Sequence, residues 1–426
     1  MINCCTDRSI IKIVIVGCLA LASLSVSSAP VEVETTFDTR YSDNIAKTKN
    51  KESDVEYAAG LSFLKEDRYG KLDFFADADL RYLFYQNETF DNELEATLAV
   101  NADYHFIPKI FLWNVRNDLN EVTVDTRLAD TPDNRERKNI FSTGPSYTLP
   151  LNRLNNLRFT ADYLRTDYQT EGTDSDRYVV NSSFNHIYND NVTLSIVSDW
   201  SKVRYTGNSD LYRLENSLAA NSQYEHYTAS GNVGNTTIKA RSSDEPSDRT
   251  ELLTWNFSLN REINSDSTIQ LGFSRELNDT SSDYNVRNDT DLNYTQEGIV
   301  RVTEWNIRYN KSFSNSSTGA VRVYQNESRY KADLSTEENI GGEFSYQHPL
   351  SSFWSVTSAI SYENSKFDTS SLENDLYEVS LGANFKAMKN VQLSFETGYE
   401  ETLSNVAARE YQELWVSFSI SYQPNI

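Results

Sequence analysis

The chain finishes with "YQELWVSFSISYQPNI" (residues 411–426). Every second residue from Leu414 is apolar or aromatic: Leu414, Val416, Phe418, Ile420 and Tyr422. Between them stand Glu413, Trp415, Ser417, Ser419 and Ser421. A period of two is the mark of a β-strand with unlike faces. A soluble sheet over a core writes strands this way, and so does a closed barrel whose apolar face meets lipid. The rest of the chain decides between them.

The same alternation begins at Val31 and recurs along the whole chain. Val31, Val33, Thr35, Phe37, Thr39 and Tyr41 form one face of the first segment. Leu72, Phe74, Ala76, Ala78, Leu80, Tyr82 and Phe84 form another, as do Leu94, Ala96, Leu98, Val100, Ala102 and Tyr104. About twenty such segments can be traced, each longer than the ~5–6 residues usual in soluble sheets. They are long enough for the ~9–11 residues that a tilted strand needs to cross a bilayer. Their connectors alternate in kind. "KEDRYG", "FIPK", "YNDN", "NSDS" and "AMKN" are short. "SDNIAKTKNKES", "DTRLADTPDNRERKN", "RSSDEPSDR", "NDTSSDYNVRNDTD" and "SKFDTSSLEN" are long and polar. A membrane barrel has a reason for this rhythm: tight turns on the periplasmic side and loops free to grow outside. Tyrosines gather near the ends of the runs, where the two membrane interfaces would lie, with Tyr104, Tyr188, Tyr346 and Tyr422 expected on the periplasmic side. The best helical fragment, "LSNVAARE" (403–410), is too short to stand alone.

Composition agrees with this reading. Among 426 residues there are 26 Tyr, 20 Phe and 6 Trp but only 8 Pro and 15 Gly, which favours strands over disorder. The mean hydropathy of −0.59 looks soluble, but half of every barrel strand faces water. Residues 1–29 read as a cleaved export signal: Arg8 and Lys12, then the apolar "IVIVGCLALASLSV", then the small residues "SSA". Residues 30–426 are then one barrel. All three cysteines (Cys4, Cys5 and Cys18) fall in the signal, so neither disulfides nor thiol chemistry are expected in the barrel. The net charge of −23 argues against nucleic acid as a partner. No later stretch is long and apolar enough for a membrane helix.

If the apolar parity faces lipid, the other parity lines a lumen. Candidate lumen residues are Asp73, Asp77, Asp79, Arg81, Arg116, Asp118, Arg158, Arg213, Glu304 and Arg308. Asp73-x-x-x-Asp77-x-Asp79-x-Arg81 is the densest ladder. It reads either as a constriction favouring cations or neutral hydroxylated solutes, or as a buttress of carboxylates paired with arginines of adjacent strands. No catalytic, cofactor-binding or metal-binding residues are expected. His105, His186, His226 and His348 are the only histidines, and none sits in a metal-binding spacing. No nucleophile-elbow motif occurs. The acidic loops lack the spacing of a calcium loop.

The opening "VEVETTFDTRYSDNI", the cysteine-free tyrosine-rich strands and the closing "VSFSISYQP" resemble the outer-membrane β-barrel family associated with exopolysaccharide biosynthesis and export. That family includes exosortase-associated barrel proteins and polysaccharide-export porins. The resemblance implies an all-β, up-and-down antiparallel barrel of about 18–20 strands in the outer membrane of a Gram-negative cell. It also implies a non-catalytic conduit for secreted polysaccharide, with periplasmic co-polymerase or export proteins as partners. Both termini would be periplasmic, no plug domain would precede the first strand, and assembly would need the barrel-assembly machinery. The alternatives are a general diffusion porin with cation preference, supported by the negative charge, and a closed structural or adhesive barrel. Barrel-assembly signals commonly end on an aromatic residue, whereas here four residues follow Tyr422.

Overall fold

The computed structural model describes residues 31–170, 172–206, 210–241, 248–279, 298–331 and 334–424; the expected export signal lies outside them. The described residues contain twenty strands. The first ten are β1 (Glu32–Ser42), β2 (Asp54–Tyr69), β3 (Leu72–Tyr85), β4 (Glu93–Ile107), β5 (Phe111–Thr123), β6 (Arg135–Pro150), β7 (Asn155–Tyr168), β8 (Ser175–Asn189), β9 (Val192–Tyr205) and β10 (Asp210–Tyr224). The others are β11 (Tyr227–Arg241), β12 (Asp248–Asn264), β13 (Ser267–Asp279), β14 (Ile299–Ser312), β15 (Thr318–Tyr330), β16 (Thr336–Pro349), β17 (Trp354–Phe367), β18 (Leu372–Met388), β19 (Val391–Ser404) and β20 (Tyr411–Tyr422). Each pairs antiparallel with its neighbours in sequence, and β20 pairs with β1 from Thr35↔Tyr422 to Ser42↔Trp415. The sheet is therefore closed, with every strand paired on both sides, the condition for a sheet to survive in lipid.

The alternation sets the wall. On β20, Leu414, Val416, Phe418, Ile420 and Tyr422 are all exposed, and Phe37, Leu61, Tyr82, Ile196, Leu218, Ile360 and Leu381 continue this apolar surface around the barrel. Soluble monomers rarely expose contiguous apolar patches beyond a few hundred Å². Here the exposed apolar face runs through every strand, as a lipid-facing band requires.

The connectors divide by end. Turns such as Gly70-Lys71, where Gly70 takes φ 59°, share one end with the chain's first and last strand ends. Longer loops occupy the other end. The strands overrun the expected connectors: β2 extends through "KEDRY", β6 begins inside "DTRLADTPDNRERKN" at Arg135, and β18 begins at Leu372. Antiparallel hairpins keep pairing beyond the apolar band, because water does not end a hydrogen-bonded ladder. The helical fragment at 403–410 shrinks to a 3-10 turn at Ala407–Arg409.

The buried core sits inside the loop-end mouth. On β2 and β3 the inward residues Ala58, Leu83 and Tyr85 pack with Ile45 and Phe90, which descend from the β1–β2 and β3–β4 loops. Across the mouth, Val203, Tyr205, Leu211 and Ile238 pack with Leu277 and Ile299. This second cluster depends on a break in the wall. Pairing between β12 and β13 stops at Trp255↔Arg275, while β11–β12 continues to Ala240↔Asp248 and β13–β14 to Asp279↔Ile299. The β13–β14 hairpin parts from β12 and leans over the lumen. The end of β13 is pinned where Asp279 accepts from Arg177 at 2.5 Å and from Tyr205 at 3.3 Å. Each large apolar side chain so buried stabilises by about 1.5–3 kcal/mol, which holds the mouth's lining in place.

Candidate functional site

Three carboxylates stand side by side on the inner face. Glu378 lies opposite Glu400, and Glu400 opposite Glu413. Like charges directly opposite each other in a sheet destabilise it. Two cations offset the repulsion. Arg40 of β1 donates to Glu413 at 2.8 Å, and Lys47 of the β1–β2 loop donates to Glu400 at 2.8 Å. Lys47 also lies 3.9 Å from Glu413, and the Tyr411 hydroxyl donates to Glu400. The Glu413 side chain has no solvent exposure, so its charge depends on these partners. Lys47 reaches inward from a left-handed backbone (φ 50°) that non-glycine residues seldom adopt. Trp415 lies flat on β19 because Gly398 leaves room: a Cβ there would meet the indole at 2.5 Å. Arg40 stacks over the same ring, 5.2 Å from its centroid.

A second network runs across β1, β3, β4 and β6. Arg81 contacts Glu95 at 3.3 Å and Asp38 at 3.8 Å. Arg135 contacts Glu95 at 3.3 Å and holds Asp130 with two hydrogen bonds, of 2.6 and 2.7 Å. Asp130 belongs to the β5–β6 loop, whose fold is organised by Asn134. The Asn134 amide donates to the carbonyls of Asp125 (2.9 Å) and Ala129 (3.0 Å), and its oxygen accepts from the Asp125 N–H at 2.9 Å. Arg127 clasps Asp125 at 2.8 and 2.9 Å. Arg409, from the β19–β20 loop, donates to the Arg127 carbonyl and ties the two loops together. Between these loops and the walls of β1–β3 and β17–β20 lies a cavity of about 1120 Å³.

The loop clasp has a defined pH range. Burial pushes the Asp130 carboxyl up, but the Arg135 hydrogen bonds and charge and the Lys47 charge outweigh it, leaving it below the usual carboxylate range. Asp125 behaves likewise: burial raises it, and Arg127 with Arg409 lowers it further. A lowered folded pKa means that the contribution is complete above the unfolded value of ~3.9 and is lost as pH falls through the folded one. The part of any bilayer conductance change that is due to this clasp should therefore appear only below about pH 4, as the loop loosens, whereas the Glu93 carboxyl at the start of β4, pushed up to about 7 by burial and by the Glu121 and Glu95 charges, acts nearer neutral pH. A rise centred near pH 6 would point to other groups.

The expected lumen residues occupy several separate places. Asp73 is bound by Arg68 at 2.8 Å and by His105 at 3.0 Å, near the terminal end. Asp79 accepts from Ser62 at 2.5 Å, Asp77 is exposed and has no ion pair among the described residues, and Arg81 belongs to the network with Glu95. Arg116 binds Asp118 on its own strand at 2.5 Å. Arg158 donates to Ser146 at 3.2 Å. Arg213 contacts Asp199 at 3.1 Å and donates to the Leu277 carbonyl at 3.2 Å, bracing the leaning hairpin. Glu304 is buried, opposite Ser274 and Asn326. Arg308 stands opposite Arg322 and lines a different cavity, of about 710 Å³. That cavity is walled mainly by hydroxyls and amides, among them Thr193, Asn221, Gln223, Ser258, Asn260 and Asn306. The sequence pattern does not mark Lys47, Asp130 and Arg135, because long polar loops outside the alternating strands show no parity that would place them in the lumen. The one available signal was basic residues within loops that otherwise carry acids.

All four histidines lie at the terminal end: His105, His186 and His348 near strand ends and His226 in the β10–β11 turn. His186 bonds Asn155 at 2.9 Å and His348 bonds Ser317 at 2.5 Å, both as local ties between strands and turns.

No protein-family model and no curated protein sequence matches the chain. Among solved structures, it is similar to the FrpB iron transporter of Neisseria meningitidis (F5-1 variant), with a TM-score of 0.52 and 9% identity, covering 95% of this chain and 84% of that one. The apoprotein form of the same variant gives a TM-score of 0.51 at 9% identity, over 94% and 82%. The outer membrane protein opdK of Pseudomonas aeruginosa covers 93% of this chain and 99% of its own, with a TM-score of 0.41 and 11% identity. At such identities the likeness concerns the fold alone. The chain has the fold of an outer-membrane β-barrel.

Proposed function

We propose that this barrel is a non-catalytic outer-membrane conduit for a hydroxyl-rich polymer of the exopolysaccharide class, with both termini in the periplasm. The observation that carries this reading is the division of the inner wall. One side, β9 to β14, offers a cavity of about 710 Å³ walled mainly by hydroxyls and amides, with Asp190, Arg308 and Arg322 also in its lining. The other carries the carboxylate and arginine networks around the 1120 Å³ cavity. A sugar chain sliding between them would exchange many weak hydrogen bonds with no single deep binding site, as conduction needs. The resemblance of the chain's layout to exopolysaccharide-associated barrels supports the same substrate class. The loops in the outer mouth then act as a cover that moves during passage.

A second reading, a closed structural or adhesive barrel, is favoured by the apolar clusters inside that mouth. A cation-preferring porin is favoured by the row Glu378, Glu400 and Glu413. Planar-bilayer recording separates the three. The conduit should conduct, be blocked by neutral maltohexaose in the millimolar range, and be required for polysaccharide secretion in the cell. Absence of conductance, with secretion intact on deletion, would favour the closed barrel. Steep cation selectivity without sugar block would favour the porin.

A further inference from the structure

The terminal-end mouth has an unusual charge. The chain as a whole carries −23, yet a cavity of about 360 Å³ inside this mouth is lined by Arg68, Lys71, His105, Lys109 and Arg158, and no carboxylate is among its lining residues. Arg68, His105 and Arg158 project from β2, β4 and β7, while Lys71 and Lys109 sit in the β2–β3 and β4–β5 turns. Two of the neighbouring acids, Asp73 and Asp103, are already engaged, while Asp162 lies on the same face of β7 as Arg158. Asp73 is held by Arg68 and His105, and Asp103 accepts from the Asn114 amide at 2.8 Å. Arg68 keeps most of its side chain in solvent, 73% exposed, even while it touches Asp73. Arg158 has spent only its Nε, on Ser146. The framework is firm: the His105 N–H donates to the Lys71 carbonyl at 2.7 Å, and the Lys71 ammonium to the Phe106 carbonyl at 2.9 Å. The adjoining arc of the same rim, from the β8–β9 turn to the β12–β13 turn, carries Asp190, Glu225, Glu262 and Asp266, with His226 and Arg261 beside them.

We infer that this basic vestibule is a binding site for anionic sugar units, carboxylate-bearing residues of a polymer that enters the lumen here. Guanidinium and ammonium groups with spare donors recognise carboxylates through charge-assisted hydrogen bonds. Concentrating them on one arc of an otherwise negative barrel draws an anionic chain to one side of the opening. The inference rests on the conduit reading for its polymer, while the site itself is defined by the residues above.

The test is calorimetric titration of the full barrel, in neutral detergent at low salt, with oligogalacturonate, and with uncharged maltohexaose as control. Oligogalacturonate should bind, more weakly as salt rises, and maltohexaose should bind at least tenfold more weakly at this site. The double substitution Arg68→Gln with Lys109→Gln should weaken oligogalacturonate at least tenfold, and Asp73→Asn, which releases Arg68, should tighten it. Both sets of side chains are at the mouth, so the circular dichroism and heat-modified gel mobility of the variants should match the parent. No oligogalacturonate binding in the parent, or equal binding by parent and double variant, would overturn the inference. Binding that follows this pattern in a barrel without bilayer conductance would sustain the vestibule and defeat the conduit; conductance without binding would do the reverse.

Discussion

Replacing Arg40 with alanine should destabilise the barrel by about 3 kcal/mol, the lower part of the range for breaking a buried ion pair. Arg40 is the direct partner of Glu413, at 2.8 Å, and that carboxylate has no solvent exposure. Once Arg40 is gone, Lys47 at 3.9 Å is the one cation among the described residues left facing the buried charge, and Lys47 is already committed to Glu400. The substitution also removes the group stacked on Trp415. Arg40 is about one third exposed, which is why the lower part of the range applies. The decisive arm is Glu413→Gln in the Arg40→Ala background, which removes the stranded charge and should recover more than half of the loss. Urea unfolding from detergent micelles reads this as a lowered midpoint at unchanged slope. An unchanged midpoint for Arg40→Ala, or a double variant no better than the single one, would show that the carboxylate row is not held by these cations.

Leu277→Asp should raise single-channel conductance several-fold. Leu277 is 2% exposed and packs with Val203, Leu211 and Ile238 across the mouth. A carboxylate placed there would be buried in the apolar cluster, beside an Arg213 already committed to Asp199 and Glu215, and the structure can avoid this cost by releasing the hairpin into water. Release breaks no pairing with β12, because β13 is already unpaired from it above Arg275; what must part are the contacts of Asp279 and Leu277 with β8 to β10, while the pairing with β14 persists. Leu334→Asp, at a loop position 84% exposed, is the control and should leave conductance unchanged. Equal conductance for Leu277→Asp and the parent would mean that the leaning hairpin does not restrict passage.

Most of the architecture is legible in the amino-acid sequence. The alternation of β20, its partner in "VEVETTFDTRY" and the closure between them follow from a period of two, because only one parity can face lipid. The mouth was not legible. Val203, Tyr205, Leu211 and Ile238 carry the inward parity, where polar residues were expected, and they turn inward at the loop end to meet the outward parity of β13 and β14. Leu277 shares its parity with the exposed Phe273, and only the break from β12 brings it into the lumen. Nothing local encodes such a contact: Tyr205 and Asp279 are 74 residues apart. Lys47 was hidden for a similar reason. A lysine in a polar loop reads as solvated surface until the loop folds inward onto Glu400. The ladder from Asp73 to Arg81 was visible as a pattern, but its members find partners on three other strands, and so they divide between the vestibule and the inner network.

Cysteine scanning of β20 tests most directly that the apolar parity faces lipid around a hydrated lumen. The described barrel contains no cysteine, so single cysteines at 416, 417, 418, 419, 420 and 421 can each be placed and exposed to a water-soluble maleimide in liposomes. Labelling should alternate: rapid at 417, 419 and 421, and slow or absent at 416, 418 and 420. Equal labelling of both parities, or rapid labelling of the apolar set alone, would contradict it.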